Sequence, residues 1–231
     1  MIYATSDLHG FPLEKFQEAL DRVGFTSEDF CFILGDVVDR GPESVKLLTW
    51  LMMQPNIQLI LGNHEAMLLS CAFLFEHGWN DALDDLTEDQ IMLVMRWIQN
   101  GGDRTIQELS QCDEETLSMI VDYLRDVPLY DSVSVNGKDF YLVHGGFGNF
   151  SPEKNIEDYS PSDLLWSRPK LEERYDPNII TILGHTPTST YGEAYAGKAI
   201  FTPTWINIDT GAGWGGSPML LRLDDMKEFY L

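Results

Sequence analysis

The sequence predicts an α/β fold. Three observations carry that expectation. Short apolar, β-branched runs recur along the chain, segments of helical spacing separate the first three of them, and five of the runs stop at glycine and polar residues. Strand, helix, strand repetition implies right-handed crossovers and a largely parallel sheet.

The first run is Ile2 to Thr5, followed by a helical segment from Leu13 to Val23. Phe30 to Leu34 is the second strand, and Pro42 to Met53 the second helix, entered through a proline whose fixed φ suits a first helical turn. Ile57 to Leu61 is the third strand. From His64 to about Pro128 the pattern turns helical: Leu117, Ile120, Val121 and Leu124 recur at helical spacing, and Thr87 with Gln90 matches a capping box. This helical insert, about 64–128, carries Asp84, Asp85, Glu88, Asp89, Asp113, Glu114 and Glu115. No EF-hand spacing accompanies those acids, so they read as a solvated outer face. Strands return after Pro128, at Phe140 to Val143 and Ile179 to Leu183. The last four, Ala199 to Phe201, Trp205 to Ile208, Met219 to Leu223 and Phe229 to Leu231, are short, closely spaced and expected to be antiparallel. With no linker, repeat or low-complexity tract, residues 1–231 are expected to form a single domain.

Composition narrows the partners. The 231 residues carry 15 Lys and Arg against 37 Asp and Glu, a formal net charge of -22. Such a surface repels polyanions and anionic lipid, and no basic stripe is present, so a nucleic-acid scaffold is not expected. No apolar stretch is long enough to cross a bilayer, and the start MIYATSDLHG has neither a basic segment nor a small-residue cleavage site, so a cytoplasmic protein is expected. Cys31, Cys71 and Cys112 are far apart and form no CxxC pair; they read as reduced core thiols.

The chemistry sits where the strands stop. The five core strands are followed by Ser6-Asp7-Leu8-His9-Gly10, Gly35-Asp36-Val37-Val38-Asp39-Arg40-Gly41, Gly62-Asn63-His64-Glu65, His144-Gly145-Gly146 and Gly184-His185-Thr186, which hold four of the five histidines. The carboxyl ends of parallel strands open onto one crevice, so these clusters are expected to meet. Asp7 and His9, two apart on an extended segment, face one side and can grip a cation. Asn63, His144 and His185 supply oxygen and nitrogen for a second ion, with Asp36 bridging the pair. Taken singly, a buried histidine is more often hydrogen-bonded in a core and an aspartate after a strand is often a helix cap. Five such clusters at five strand ends argue for a metal centre instead. The donors are oxygen and nitrogen with no thiolate, which favours manganese, iron or zinc. The fifth histidine, His77, follows a helix-like run and reads as a C-terminal cap residue.

At these residues the chain resembles the phosphoprotein phosphatase family of metallophosphoesterases, through the motifs GDxHG, GDxVDRG, GNHE, HG and a late GH. Ser6 stands where that family usually has glycine. Leu164-Leu165-Trp166-Ser167-Arg168 and Asn207-Ile208-Asp209-Thr210-Gly211-Ala212 are similar to its small bacterial and phage serine/threonine phosphatases. The resemblance implies a sandwich of two mixed sheets flanked by helices, and two divalent transition-metal ions, manganese foremost. It implies that Asp7, His9 and Asp36 hold one ion and Asp36, Asn63, His144 and His185 the other. Arg40 and Arg168 would bind phosphoryl oxygens, and His64 paired with Asp39 would act as general acid, while a water activated by the metals attacks phosphorus. Read without the family, Arg40 could neutralise Asp36 and Asp39, and Arg168 could be an ordinary loop cation.

By the same resemblance the expected substrate is a phosphoserine, phosphothreonine or phosphotyrosine monoester in a protein. Hydrolysis of symmetrical dinucleoside tetraphosphates is the alternative, since the symmetrical diadenosine tetraphosphatases share the motif set; Glu65 and the complete GDVVDRG tilt the expectation toward the protein phosphatase. A metal-stabilised binding module is a third reading, against which the His64–Asp39 pair speaks. Arg104, after an Asn-Gly-Gly turn similar to a segment near the family's site, reads equally as a surface ion-pair partner. Tyr191, Tyr195, Trp205 and Trp214 either line a substrate groove or pack.

Overall fold

The computed structural model describes residues 1–76 and 86–231. His77, Asp84 and Asp85 lie outside the described residues. The first strand, β1 (Ile2–Thr5), leads into α1 (Leu13–Val23), whose Leu13, Phe16, Ala19 and Leu20 turn inward at helical spacing. Gly24, at φ 71°, ends it in the left-handed conformation, its N–H returning to the carbonyls of Leu20 and Asp21. After β2 (Phe30–Leu34), α2 (Ser44–Leu51) begins two residues beyond the expected Pro42. Its first N–H groups, on Ser44 and Val45, donate to the Glu108 carboxylate at 3.1 and 3.0 Å, so a cap arrives from the insert rather than from the local sequence.

The third strand, β3 (Ile57–Ile60), is followed by α3 (Asn63–Ser70), α4 (Phe73–Glu76), α5 (Glu88–Gln99), α6 (Asp103–Leu109) and α7 (Glu114–Asp126). Thr87 and Gln90 exchange the expected capping hydrogen bonds at 2.9 and 3.2 Å. Leu117, Ile120, Val121 and Leu124 are buried, while Glu88, Asp89, Glu114 and Glu115 are exposed as expected. Asp113 is exposed too, and its carboxylate also caps α7 through the Thr116 N–H at 2.8 Å.

Two five-stranded sheets result, ordered β10-β9-β1-β2-β3 and β4-β5-β6-β8-β7. The remaining strands are β4 (Tyr130–Val135), β5 (Lys138–Val143), β6 (Ile179–Leu183), β7 (Ile200–Phe201), β8 (Trp205–Asn207), β9 (Met219–Arg222) and β10 (Lys227–Tyr230). Both sheets are mixed, with parallel triplets β1-β2-β3 and β5-β6-β8. The pairs β9/β10, β9/β1 and β7/β8 are antiparallel, as expected of the C-terminal part. On its other side β8 departs from the expectation: it runs parallel to β6, with Thr181 opposite Trp205 and Leu183 opposite Asn207. The return is made through residues 184–204 by two 3₁₀ turns and the short β7, a crossover long enough for parallel pairing but without the helical periodicity that would announce it.

Side-chain alternation builds the sandwich. Ala4, Phe32, Leu34, Ile60 and Leu221 of the first sheet face Phe140, Leu142, Ile182 and Ile206 of the second. The opposite face of the first sheet, Tyr3, Cys31, Ile33 and Leu59, lies under α1, α2 and the insert, while Val143, Leu183 and Trp205 of the second are covered by Phe147, Tyr159 and Tyr175. Cys31 and Cys71 are buried, Cys112 is half-buried, and none is in a disulfide. Among the described residues no helix is long and apolar enough to cross a membrane.

Phe140 is fully buried between the sheets. Phe140→Ala is expected to remove about 3–5 kcal/mol of stability in urea denaturation, the usual cost of an aromatic cavity; a loss below about 1 kcal/mol would mean that the two sheets do not close on each other there.

Candidate active site

Three of the parallel strands, β1, β2 and β6, end in backbone that most side chains avoid. Among the described residues nine non-glycine positions have left-handed φ, and six of them are Asp7 (52°), His9 (45°), Asp36 (54°), Asp39 (74°), Arg40 (66°) and His185 (68°). Such conformations cost roughly 1 kcal/mol or more each and persist only where the surroundings hold them. Backbone bonds between the loops do so: Asp7 N–H to Gly35 O at 3.1 Å, His9 N–H to Asp36 O at 2.8 Å, and Gly184 N–H to His144 O at 2.8 Å. Gly35, at φ 80°, is pressed so close that a Cβ would stand 2.5 Å from Gly62 Cα and 2.6 Å from His144 Nδ1.

Glu65 binds two of these loops together. It is fully buried, and its oxygens accept the N–H groups of Asp36 (2.8 Å), Val37 (2.7 Å), Val38 (3.2 Å) and Gly62 (3.0 Å). Burial and the neighbouring Asp36 push its carboxyl up to about 7, against those four donors, which favour the ionised form.

Asp36 stands at the centre, 2 % exposed. One oxygen accepts the His64 N–H at 3.0 Å and lies 3.4 Å from His144 Nε2; the other lies 3.7 Å from His9 Nε2 and 3.8 Å from His64 Nε2. Around His144 Nε2 gather Asn63 Oδ1 at 2.9 Å and His185 Nδ1 at 3.2 Å. Backbone carbonyls orient two of the rings: His144 Nδ1–H donates to Leu34 O at 2.7 Å and His9 Nδ1–H to Val38 O at 2.9 Å, leaving each Nε2 turned toward Asp36. Two clusters of donor atoms thus share Asp36, one with His9 and His64, the other with His144 and His185. Asp7 Oδ2 accepts the His185 N–H at 2.9 Å, and the charge of Asp7 is felt at His144.

The electrostatics ask for a cation. Burial pushes Asp7 up to about 6, reinforced by Asp36. Burial would depress His144, yet Asp36 and Asp7 raise it to about 10, so this point draws positive charge. Asp36 is held well below the usual range: His144, His64 and His9 outweigh its burial. Burial keeps His9 and His185 neutral, near 3 and 2, the form in which imidazole binds a metal. The His185 Nε2 is buried without a hydrogen-bond partner among the described residues. A buried set of lone-pair nitrogens and oxygens around shared carboxylates, with no thiolate, suits divalent ions of the manganese, iron or zinc kind.

A second group flanks this cluster. His64 Nδ1–H donates to Asp39 Oδ2 at 2.6 Å, and although burial opposes it, Asp36 and Asp39 raise His64 above its ordinary range. Asp39 is itself fully buried, and the insert holds it: Trp97 Nε1–H donates at 2.9 Å and the Thr105 hydroxyl at 2.7 Å. Arg40 donates from Nη1 to His9 Nε2 at 2.8 Å, and its Nη2 lies 3.0 Å from His64 Nε2. Its N–H and Nε–H reach the carbonyls of Gly101 (3.0 Å) and Asn100 (3.4 Å). The Asn-Gly-Gly turn therefore serves the site through its backbone, while Arg104 is exposed and its charge is felt by Glu108.

The other expected residues separate. Arg168 Nη1 donates to the Thr186 hydroxyl at 3.1 Å and to His185 O at 3.3 Å, beside the second cluster. Trp205 is fully buried and Tyr191 packs on it, so both belong to the core, and Tyr195 stands at the surface. Trp214 lies over the Arg40 guanidinium, 4.6 Å from ring centre to Cζ. Asp209, Trp97 and Thr105 were not expected at the site. Asp209 follows β8, is 2 % exposed, and burial and Asp7 hold its carboxyl well above the usual range. The strand-end rule would have found it had β8 been read as parallel.

Comparison with known proteins agrees with the metal chemistry and corrects the substrate. The sequence model described as calcineurin-like phosphoesterase matches residues 1–209. A relative from Nitrosomonas europaea, named a symmetrical bis(5'-nucleosyl)-tetraphosphatase, is 40% identical over 272 residues, covering 98% of this chain and 96% of its own. One of the same name from Chromobacterium violaceum is 25% identical and covers 100% and 94%. Among solved structures, a protein assigned as a diadenosine tetraphosphatase superposes with a TM-score of 0.67 at 15% identity, covering 100% and 92% of the two chains. A yeast protein serine/threonine phosphatase superposes at 0.54 and 17%, covering 100% and 78%, which speaks for the fold alone. The names of the near full-length relatives overturn the expected phosphorylated protein substrate and favour the alternative, a dinucleoside tetraphosphate. The physical reason for the error is visible. Glu65 and the GDVVDRG loop are turned inward onto backbone and donor atoms, so they say nothing about what leaves the phosphorus. The match reaches to Asp209 and so takes in all six strand ends that build the site, and the chain belongs to the calcineurin-like phosphoesterase family, metal-dependent hydrolases.

Proposed function

We propose that this chain hydrolyses bis(5'-nucleosyl) tetraphosphates symmetrically, giving two nucleoside diphosphates. The observation that carries this reading is the relative 40% identical across 98% of the chain, named for that activity, whose length this chain spans almost completely. In the proposed assignment Asp7, His9 and Asp36 hold one divalent ion and Asp36, Asn63, His144 and His185 a second, manganese foremost, with iron or zinc compatible with the same donors. Two dications bound there would supply Lewis acidity toward the phosphoryl oxygens and the attacking water.

The chain's own groups do the rest. Arg40 and Arg168 flank the donor clusters with planar forks matched to phosphate oxygens, which lysine lacks. His64, fixed by Asp39, is placed to hand a proton to the departing oxygen. The need for that proton depends on the leaving group. A departing alkoxide is strongly basic, whereas a nucleoside diphosphate leaves through a phosphate whose second pKa is about 6. Acid assistance is thus worth less for the tetraphosphate than for an alkyl ester.

The direct test sets diadenosine tetraphosphate beside a phosphoserine peptide in one assay. ADP as sole nucleotide product, with turnover per KM at least ~100-fold above the peptide's, is expected; preference for the peptide, or ATP and AMP as products, would defeat the reading. For the acid, His64→Asn is expected to retain its metal and lose roughly 10²- to 10⁴-fold on an alkyl phosphate, but clearly less on the tetraphosphate. Equal losses on both, or loss of metal, would show that His64 is not the proton donor.

A further inference from the structure

The one large aromatic that the structure sets against the site's arginine is also the most exposed tryptophan among the described residues. Trp214 is 71% exposed, whereas Trp97 and Trp205 are fully buried. An indole left in water is unusual for so large an apolar group. It is not a loose surface residue. The loop that carries it, Gly211 to Gly216, folds back on itself through the Gly216 N–H to Gly211 O bond at 3.0 Å and turns at Gly211 (φ 91°) and Gly215 (φ 86°). The residue before the indole, Gly213, is pressed onto the site: a Cβ there would stand 2.3 Å from His9 Cδ2 and 2.8 Å from Arg40 Nη1. One side of the indole meets the Arg40 guanidinium at 4.6 Å, and the rest of its surface faces solvent. Arg40 meanwhile reaches His9 and His64 with its two terminal nitrogens, so a single side chain connects the phosphoryl site to the aromatic plane.

We propose that Trp214 is the platform on which a nucleobase of the substrate stacks while the adjoining phosphates lie against Arg40. The proposal rests on the dinucleotide reading above and deepens it by naming the residue that distinguishes a nucleotide from a base-free phosphate. Every nucleobase presents a π-face to an exposed indole, and such stacking commonly changes affinity by about 10- to 100-fold per base. It is tolerant of base identity, so purine nucleotides of either kind should be accepted. The competing role is mechanical, in which Trp214 only holds Arg40 in place by cation–π attraction. The two roles differ in one respect. A tether for Arg40 acts on every phosphate ligand alike, whereas a stacking platform acts only on ligands that carry a base.

Calorimetric titration of the metal-loaded protein with ADP and, separately, with pyrophosphate separates them without relying on turnover. For Trp214→Leu the ratio of the ADP to the pyrophosphate dissociation constant should rise about 10-fold or more, and for Trp214→Phe most of the wild-type ratio should remain. An unchanged ratio in Trp214→Leu, whether both constants rise together or neither moves, overturns the proposal. Because the exposed position makes misfolding an unneeded explanation, the melting temperature of both variants should match the wild type. If wild-type protein fails to split diadenosine tetraphosphate while the ratio still responds, the catalytic reading fails and the stacking site stands; the converse pattern removes the site and leaves the catalytic reading intact.

Discussion

Five carboxylates, those of Asp7, Asp36, Asp39, Glu65 and Asp209, are each 2 % exposed or less around one small volume, and everything else near the site answers that constraint. Unpaired charge is costly to bury, so each acid must be compensated or neutralised. Asp39 is met by His64, Trp97 and Thr105, and Glu65 by four backbone N–H groups. Asp36 is met by imidazoles on two sides. Asp7 and Asp209 are less fully matched, and burial lifts both above their usual range. The six left-handed residues add their strain to the same region. Cations bound among these groups would offset both costs, which couples metal affinity to the stability of the fold.

This coupling also explains why the architecture is built as two sheets. A single parallel triplet delivers three strand ends; two triplets facing each other deliver six. His144, from the second sheet, is oriented by the Leu34 carbonyl of the first, and Asp7 of the first receives the His185 N–H of the second. The insert closes the third side. Its outer acids are solvated, but Trp97, Thr105 and the Asn100–Gly101 carbonyls face inward and fix Asp39 and Arg40. The formal charge of -22 is therefore compatible with an anionic substrate. Two dications would bring it only to -18 (-22 + 4), yet acids more than about 8 Å from the phosphate are screened at physiological salt, and the local balance near Arg40 and Arg168 decides.

Much of this was legible in the chain, and the reasons for the exceptions are physical. Short apolar, β-branched runs gave β1, β2, β3 and β6 within a residue, and helical spacing gave α1 to both ends. Asp7, His9, Asp36, Asn63, His144 and His185 are brought together because they follow parallel strands, a rule that needs only element order. Asp209 escaped the same rule because the crossover before β8 carries no helical period. Trp97 and Thr105 escaped because an aromatic and a hydroxyl on a helix read as ordinary core. The substrate escaped for a different reason: the motif residues face the buried donor clusters, whereas Trp214, which faces outward, spells nothing in sequence beyond an aromatic in a glycine-rich turn.

The central claim is that the buried donor set exists to hold metal and is completed by it. The most direct measurement is thermal melting of the protein with its metal content followed alongside, in chelator and after return of manganese. A melting temperature that falls in chelator and is restored at about two equivalents per chain, with Asp36→Asn blocking the restoration, is the predicted result. An unchanged melting curve in chelator, with no divalent ion bound at saturation, would contradict it.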